Sequence, residues 1–178
     1  MADLKPTGKN LFKNSGSLSI NMMGTLGIFK FSTVSDSNVP SGQALVCELT
    51  EFSPSFSTTG PYFLGSNYID KLSVGDVVTV TGYVKASKKI KANSIKYEFL
   101  DASSDVSEFT TTWQRFQITG AVKRVGSSRV AITFYAANSE WEIGDKIYLS
   151  SPKIELGTEA TPWTPAPEDS LSGGGVLI

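Results

Sequence analysis

Aromatic side chains set among polar residues are the groups in this sequence whose types and spacing favour ligand recognition. Residues 52–68 are rich in Ser, Thr, Gly and Pro, follow neither a strand nor a helix period, and contain four candidates: Tyr62, Phe63, Asn67 and Tyr68. A saccharide presents an apolar C–H face rimmed by hydroxyls, so its site needs an exposed flat ring beside amides, carboxylates or Arg. This segment therefore contains a candidate saccharide site.

Trp141 is the preferred single candidate for contact with a ligand. It lies in residues 136–142, AANSEWE, in a turn between two predicted strands, where packing gives no ready reason for a Trp. A wider set would lie on the outward faces of adjacent strands and form the floor of a cleft: Trp113, Arg115, Gln117 and Tyr135. The alternative is structural, with the rings of residues 52–68 covering an open end of the fold. Phe52 and Phe56 are expected in the core.

The residue types on which most enzymes depend are either absent or lack the spacing that is typical of a catalytic site. The chain has no histidine, which removes Ser-His and Cys-His nucleophile pairs and the commonest ligand of catalytic zinc. Two acidic runs remain, and they contain Asp101, Asp105 and Glu108, and Glu140, Glu142 and Asp145. Glycoside hydrolysis needs two carboxylates about 5 to 10 Å apart, but no spacing marks such a pair, and neither run matches an EF-hand loop. We predict that the chain is not an enzyme.

Size and charge limit the classes of partner. The 178 residues carry a formal net charge of -1, so no positive surplus indicates nucleic acid. Four lysines form a small basic patch, Lys88, Lys89, Lys91 and Lys96. Such a patch is normally solvated, with contact to anionic wall polymers as the alternative. The sequence contains no run of about 18 apolar residues, which a membrane span would need, and its start lacks the apolar core of a signal peptide. We expect one soluble domain without nucleic-acid or membrane partners.

Short stretches of alternating apolar and polar residues predict the fold. The clearest are residues 77–85, 94–100, 110–121 and 129–136, and shorter strands are expected at 10–16, 18–21, 26–33 and 43–50. No amphipathic helix is indicated, so the pattern predicts an all-β antiparallel sandwich of the jelly-roll type. Cys47, the single cysteine, is expected to be a buried thiol.

The last part of the chain closes the predicted domain. Residues 146–169 begin as a strand and continue into a segment with three prolines. Because proline donates no ladder hydrogen bond, the strand should stop near Thr161. Trp163 is the large apolar group left to hold the tail, so we expect it to pack as a plug.

Four stretches resemble one family of β-sandwich modules. They are residues 10–16 (NLFKNSG), 111–116 (TTWQRF), 151–157 (SPKIELG) and 160–169 (ATPWTPAPED). These sequences are similar to the carbohydrate-binding-module-like domains of tail, baseplate and receptor-binding proteins from phages of Gram-positive bacteria, especially lactic acid bacteria. The resemblance implies a jelly-roll domain on the virion tail, made in the host cytoplasm, that helps attach the phage to saccharides of the host cell wall.

The same resemblance implies an organisation, partners and a metal. It divides the chain into an N-terminal lead-in at 1–9, a carbohydrate-binding-like β-sandwich at 10–164 and a Pro/Gly-rich linker or tail at 165–178. Partners besides the saccharide would be other tail or baseplate subunits and further copies of the chain within the virion. Related modules often hold a structural calcium between their first and last strands, for which Asn14 and Glu155 are the nearest candidates. The usual acidic residue after the first strand is missing, so no cofactor is expected.

These observations favour one function and leave two alternatives. The first is a non-catalytic saccharide-binding module that helps attach a virion to the host cell wall, with Trp141, Tyr62 and Tyr68 as its main rings. The second is a structural or assembly spacer of the tail without a saccharide site. The third is a binding module of a bacterial cell-wall hydrolase. Solvent exposure of the rings separates the first function from the second.

Overall fold

The computed structural model describes residues 8–65, 68–69, 72–125 and 130–169. These residues form eleven strands and two short 3-10 helices, at Ile20–Met22 and Asn138–Glu140. The strands, in chain order, are β1 Met23–Leu26, β2 Ile28–Ser35, β3 Gln43–Glu51, β4 Thr58–Leu64, β5 Val77–Ala86, β6 Ile90–Lys91, β7 Ser94–Tyr97, β8 Glu108–Phe109, β9 Gln114–Ala121, β10 Val130–Ala137 and β11 Lys146–Leu156. No helix within these ranges has the length and apolar character that crossing a membrane requires.

The strands form two antiparallel sheets and one small pair. One sheet has four strands in the order β1-β4-β10-β7, and the other has five in the order β2-β3-β11-β5-β9, while β6 and β8 pair separately. Every pairing between these strands is antiparallel. The two sheets enclose one apolar core, which confirms the predicted all-β antiparallel sandwich.

Alternating apolar residues fill the space between the sheets. In β10, Ile132, Phe134 and Ala136 are each 0% exposed, as expected for the inward side of a pleated strand. The Phe116 ring of β9 meets the Phe134 ring of β10 edge to face, with 5.5 Å between centroids, and so joins the two sheets. Cys47 in β3 is 0% exposed, which confirms the predicted buried thiol, and burial raises the pKa of that thiol.

Two predictions about the strands are wrong. β4 lies inside residues 52–68, where no period was visible, because Pro61 and the glycine before it interrupt the alternating pattern. The two strands predicted within residues 10–21 are not formed in this described part of the chain. Phe12 makes an isolated bridge to Ile69, and a 3-10 helix follows.

The tail after β11 folds back across the outward side of the five-stranded sheet. β11 ends at Leu156 rather than near Thr161, because Gly157 adopts a φ of 101° and turns the chain. Two charged residues of β11, Lys153 and Glu155, are each 1% exposed, and their polar atoms contact the tail. The tail is therefore a packed layer of the domain.

Trp163 and Ala166 hold the tail against the N-terminal turn. The Trp163 ring lies 3.4 Å from the position that a Cβ on Gly16 would take, and Ala166 is 0% exposed. The buried Asn10 side chain donates from Nδ2 to the Thr164 carbonyl at 2.9 Å. Trp163 thus packs on the domain as expected of a plug. The boundary proposed at residue 164 stays a prediction.

Candidate functional site

Two tyrosines lie on the outward side of the four-stranded sheet. One row of paired residues crosses this sheet from β1 to β7: Gly24, Tyr62, Thr133 and Lys96. A second row, two residues further along each strand and so on the same side of the sheet, contains Leu26, Gly60, Tyr135 and Ser94. Residues opposite one another in such a row point to the same side of the sheet. Tyr62 and Tyr135, both half-buried, therefore share one surface.

Glycines make room for both tyrosine rings. A Cβ added to Gly24 would lie 2.3 Å from Cε2 of Tyr62, and one added to Gly60 would lie 2.8 Å from Cδ1 of Tyr135. A side chain at Gly24 would therefore displace the Tyr62 ring, whereas a side chain at Gly60 would meet the Phe134 carbonyl of the neighbouring strand as well as the Tyr135 ring. We call this surface the tyrosine face, and we define it by six residues: Gly24, Gly60, Tyr62, Lys96, Thr133 and Tyr135.

Polar groups lie close to the rings of the tyrosine face. Burial raises the pKa of the Tyr135 hydroxyl above its usual value, and the neighbouring Tyr62 and Glu98 raise it further. Glu98 forms an ion pair with Arg124 at 3.6 Å, while Lys96 forms none with any residue that the structure describes. Two phenol hydroxyls, a carboxylate and an ammonium thus accompany two partly exposed rings. Such a set of donors and acceptors matches the hydroxyls of a sugar.

A cleft of ≈ 320 Å³ lies at the edge of the tyrosine face. Its walls are residues 25–28, where β1 turns into β2, and residues 51–54 and Phe56, at the end of β3 and in the loop after it. Leu26 belongs to the cleft and also pairs with Gly60, so the two surfaces are continuous. Phe56 is 53% exposed in this cleft, and its expected place in the core is wrong because the loop projects outward.

The expected exposure of Trp141 is wrong. The side chain is 4% exposed, its Nε1 donates to the Thr59 carbonyl at 3.1 Å, and its ring meets Phe29 edge to face with 5.7 Å between centroids. Phe63 is 1% exposed and packs edge to face on Phe12 at 5.3 Å. Both residues stabilise the core, so neither presents a ring to a saccharide.

The predicted cleft floor shared by Arg115 and Tyr135 is also wrong. Arg115 in β9 belongs to the five-stranded sheet, whereas Tyr135 in β10 belongs to the four-stranded sheet. Arg115 Nη2 donates to the Thr161 carbonyl at 2.8 Å and holds the tail. Trp113 Nε1 donates to Asp36 Oδ2 at 3.0 Å and ties β9 to the loop after β2.

Tyr68 and Asn67 are the remaining predicted contacts. Tyr68 is half-buried against the core, and its hydroxyl donates to the Asn21 carbonyl at 3.5 Å. The Tyr68 carbonyl accepts a hydrogen bond from the Lys13 N–H at 2.6 Å, which places this residue beside the N-terminal segment. Asn67 lies outside the described residues. Contact of these two residues with a ligand stays a prediction.

The residues present do not fit the calcium that the resemblance implies. The Glu155 carboxylate already accepts the Thr161 hydroxyl at 2.7 Å and lies 3.8 Å from the Lys153 ammonium. Asn14 sits in a turn with φ 61°, and its N–H donates to Asp169 Oδ1 at 2.7 Å. Within the described ranges no group of three or more His, Cys, Asp or Glu is placed to hold a metal ion.

Two residues at or beside the tyrosine face, Glu98 and Thr133, are absent from the sequence-based candidates, and Lys96 is named there only as part of the basic patch. The signal for Lys96 and Glu98 is the alternation in residues 94–100, which puts both on one side of that stretch. The signal for Thr133 is the alternation in β10, which puts it on the same side as Tyr135. What the alternation does not give is the pairing of β10 with β4 on one side and with β7 on the other. That pairing assembles the surface.

Comparison with solved structures identifies the fold. No protein-family model matches the chain, and no curated protein matches its sequence. The CBM22-1 xylan-binding domain of Paenibacillus barcinonensis Xyn10C superposes with a TM-score of 0.52 and 14% identity, over 88% of this chain and 99% of that domain. The chain has a carbohydrate-binding-module-like fold. At this identity the likeness describes the fold alone.

Two longer chains contain a similar module. Tailspike protein 4 of bacteriophage CBA120 is similar with a TM-score of 0.53 and 14% identity, over 83% of this chain and 21% of that one. The CBM22-1 and GH10 modules of Clostridium thermocellum xylanase 10B, solved with xylohexaose, are similar with a TM-score of 0.51 and 13% identity, over 83% of this chain and 29% of that one. The carbohydrate-binding-module-like fold thus occurs as one part of larger proteins.

Proposed function

We propose that the chain is a non-catalytic saccharide-binding module whose site is the tyrosine face. The observation that carries this proposal is the pair of half-buried rings, Tyr62 and Tyr135, lying against Gly24 and Gly60 on one side of a sheet. The carbohydrate-binding-module-like fold supports it, since a xylan-binding domain has the same architecture.

Each part of the tyrosine face has a counterpart on a sugar. The C–H groups of a pyranose pack on the solvent side of a tyrosine ring. The Tyr135 hydroxyl, whose pKa burial raises further above neutral, is protonated and able to donate. Glu98 accepts hydrogen bonds from sugar hydroxyls, and Lys96 donates to sugar oxygens. None of these contacts breaks a bond, so the site binds without catalysis.

The biological setting that we propose is a phage tail, where the module attaches the virion to saccharides of the host cell wall. Two observations support this setting. The four stretches in residues 10–16 and 111–169 resemble tail and baseplate modules, and a phage tailspike contains the same fold. An open sheet surface binds weakly, so several copies on one virion would supply firm attachment through avidity.

Binding to purified cell walls of lactic acid bacteria and to xylan tests this function. We expect the wild type to bind one of them, and Tyr62→Ala and Tyr135→Ala each to weaken binding by about tenfold or more, as loss of a buried aromatic contact does. Tyr148→Ala is the matched control, because Tyr148 is also half-buried but lies in β11 of the other sheet. Isothermal titration calorimetry measures the affinities.

Two results would count against the tyrosine face. Absence of wild-type binding to every saccharide at high micromolar concentration contradicts saccharide binding as the function. A loss of binding in Tyr148→Ala, with Tyr62→Ala unaffected, keeps the function but moves the site to the five-stranded sheet.

Exposed apolar residues favour a second function, assembly with other tail subunits. Ile28 and Phe56 are each 53% exposed and both line the cleft. Apolar surface that stays exposed often marks contact with another protein. Light scattering of the wild type and of Phe56→Ser over a range of concentrations tests whether copies of the chain use this surface. Self-association that Phe56→Ser removes favours assembly of copies of this chain through the cleft, and a monomer at every concentration argues against such self-assembly.

A further inference from the structure

Lys153 and Glu155 are two charged side chains enclosed between β11 and the tail. Each is 1% exposed, because the tail residues Thr161, Pro162 and Thr164 contact them. Removing an ammonium and a carboxylate from water is costly unless both gain close partners. The atoms around this pair therefore show what it does.

The Lys153 ammonium is surrounded by oxygen atoms. Its Nζ donates to Thr161 Oγ1 at 2.7 Å, to the Pro162 carbonyl at 2.8 Å and to Thr164 Oγ1 at 3.3 Å. Glu155 Oε2 lies 3.8 Å away. An ammonium has three N–H donors, so each donor finds an oxygen and the carboxylate supplies the opposite charge. We call these four oxygen-bearing groups the oxygen cage.

The oxygen cage is held in place by groups other than Lys153. The Glu155 carboxylate accepts the Thr161 hydroxyl at 2.7 Å and the Thr161 N–H at 3.2 Å. From outside, Arg115 Nη2 donates to the Thr161 carbonyl at 2.8 Å, and Asn10 Nδ2 donates to the Thr164 carbonyl at 2.9 Å. These bonds do not involve Lys153, so we expect the cage oxygens to keep their arrangement when that side chain is shortened.

Free cations also bind to oxygen sets of this kind. One carboxylate, one carbonyl and two hydroxyls are groups that hard cations accept as ligands. Calcium needs oxygen distances of about 2.3–2.6 Å, whereas the three hydrogen-bonded oxygens lie 2.7, 2.8 and 3.3 Å from Nζ. The spacing and the single carboxylate fit an ammonium, or a monovalent ion of similar size, rather than calcium.

We propose that Lys153 is an internal cation: its ammonium occupies a monovalent-cation site and fastens the tail to the five-stranded sheet in place of a bound metal ion. Removing the side chain beyond Cβ leaves the Glu155 carboxylate uncompensated and frees space in the oxygen cage. In the wild type, the attachment of the tail to the sheet is therefore independent of added cations. In a variant with a shortened side chain at position 153, that attachment depends on them. This role is separate from saccharide binding.

Thermal unfolding of Lys153→Ala in three salts at equal ionic strength tests the proposal. n-Propylammonium chloride restores the missing atoms, ammonium chloride restores the charge, and choline chloride has no N–H to donate. We expect the variant to melt about 10 °C below the wild type in choline chloride, as loss of one partner of a buried pair predicts. Ammonium and n-propylammonium should recover several degrees. The wild type and Lys89→Ala, whose lysine is 74% exposed, should melt alike in all three salts.

A second variant and a local readout separate a cation site from general destabilisation. The double variant Lys153→Met with Glu155→Gln fills the space and removes the charge, so we expect it to ignore the choice of salt. Hydrogen exchange of residues 157–169 should slow in Lys153→Ala when ammonium replaces choline. If Lys153→Ala does not fold in choline chloride, the yield of refolded protein in each salt takes the place of melting temperature. Equal values in all three salts overturn the proposal, as does an ammonium response that the double variant shares.

Discussion

The ring of Tyr62 lies over the backbone of Gly24 on the neighbouring strand, so that a Cβ at Gly24 would be 2.3 Å from Cε2 and 2.7 Å from the hydroxyl oxygen. The residue in β1 therefore decides where the ring in β4 rests. Because Tyr62 is half-buried, part of its ring stays in contact with solvent. The tyrosine face depends on the lack of a side chain at Gly24 as much as on Tyr62.

Gly24→Ala should weaken saccharide binding while changing stability little. The three atoms nearest to the added methyl all belong to the far end of the Tyr62 side chain. That end is able to rotate away, so the fold tolerates the methyl but the ring leaves its position. We expect a loss of about two- to tenfold in affinity, since an aromatic contact contributes on the order of 0.5–1.5 kcal/mol. Calorimetric titration measures the affinity, and thermal unfolding checks the stability.

A double-mutant cycle shows whether Gly24 acts through the ring. In a Tyr62→Ala background, Gly24→Ala should have no further effect on affinity, because the ring that it displaces is already gone. Wild-type affinity in the single variant Gly24→Ala would mean that the position of the Tyr62 ring does not matter for binding.

Trp141→Ala should destabilise the domain by about 3–5 kcal/mol, the usual cost of truncating a buried Trp. Trp141→Phe keeps an aromatic ring but leaves the Thr59 carbonyl, now bound at 3.1 Å, without its donor, and should cost about 1–3 kcal/mol. Urea unfolding measures both changes. Neither variant should lose saccharide affinity under conditions where it is folded, and a selective loss of binding with unchanged stability would contradict the core role of Trp141.

The strands with a clear inward and outward side were predictable because their signal is local. In Val77–Ala86 and Val130–Ala137 the apolar residues recur at every second position, and a pleated strand with one buried side requires that spacing. β4 gave no such signal, since Pro61 and Gly60 lie at its centre. Its place between β1 and β10 depends on contacts that a sequence pattern does not encode.

Ring exposure was less predictable than strand position, because distant parts of the chain decide it. Trp141 lies among polar neighbours, which favoured an exposed ring, but folding brings Thr59 and Phe29 against it. Phe56 is a large apolar residue of a type that is usually buried, yet its loop places it in the cleft. Tyr62 and Tyr135 were both candidates, and only the pairing of β4 with β10 shows that they share a surface.

Cys47 should not react with thiol reagents in the folded protein. The side chain is 0% exposed, and burial raises the pKa of the thiol, so the reactive thiolate is scarce as well as inaccessible. We expect no colour with a disulfide reagent under native conditions and one equivalent in guanidinium chloride. Rapid native labelling would show that β3 is more accessible than its place in the sheet implies.

Acid should remove the stability that Asp36 contributes. Its carboxylate accepts the Asn38 N–H at 2.9 Å and the Trp113 Nε1–H at 3.0 Å. These hydrogen bonds, the Asn38 backbone bond first, hold the pKa of Asp36 below its usual value, and burial only partly opposes them. A carboxyl with a lowered folded-state pKa stabilises the fold at pH values above its unfolded-state pKa of about 3.9. That contribution falls as the pH drops through the lower folded-state value.

Melting temperatures of the wild type and Asp36→Ala, measured from about pH 7 down to about pH 2, through and below the unfolded-state pKa of an Asp, determine this contribution. We expect the wild type to be the more stable protein above about pH 4, and the difference to shrink steadily as the pH falls further. Asp101→Ala, at an exposed position, is the control and should run parallel to the wild type. A gap between Asp36→Ala and the wild type that stays constant down to the lowest pH would mean that ionisation of the Asp36 carboxyl adds nothing to stability. In that case the hydrogen bond from Trp113 would tie β9 to the loop after β2 whether or not Asp36 is charged.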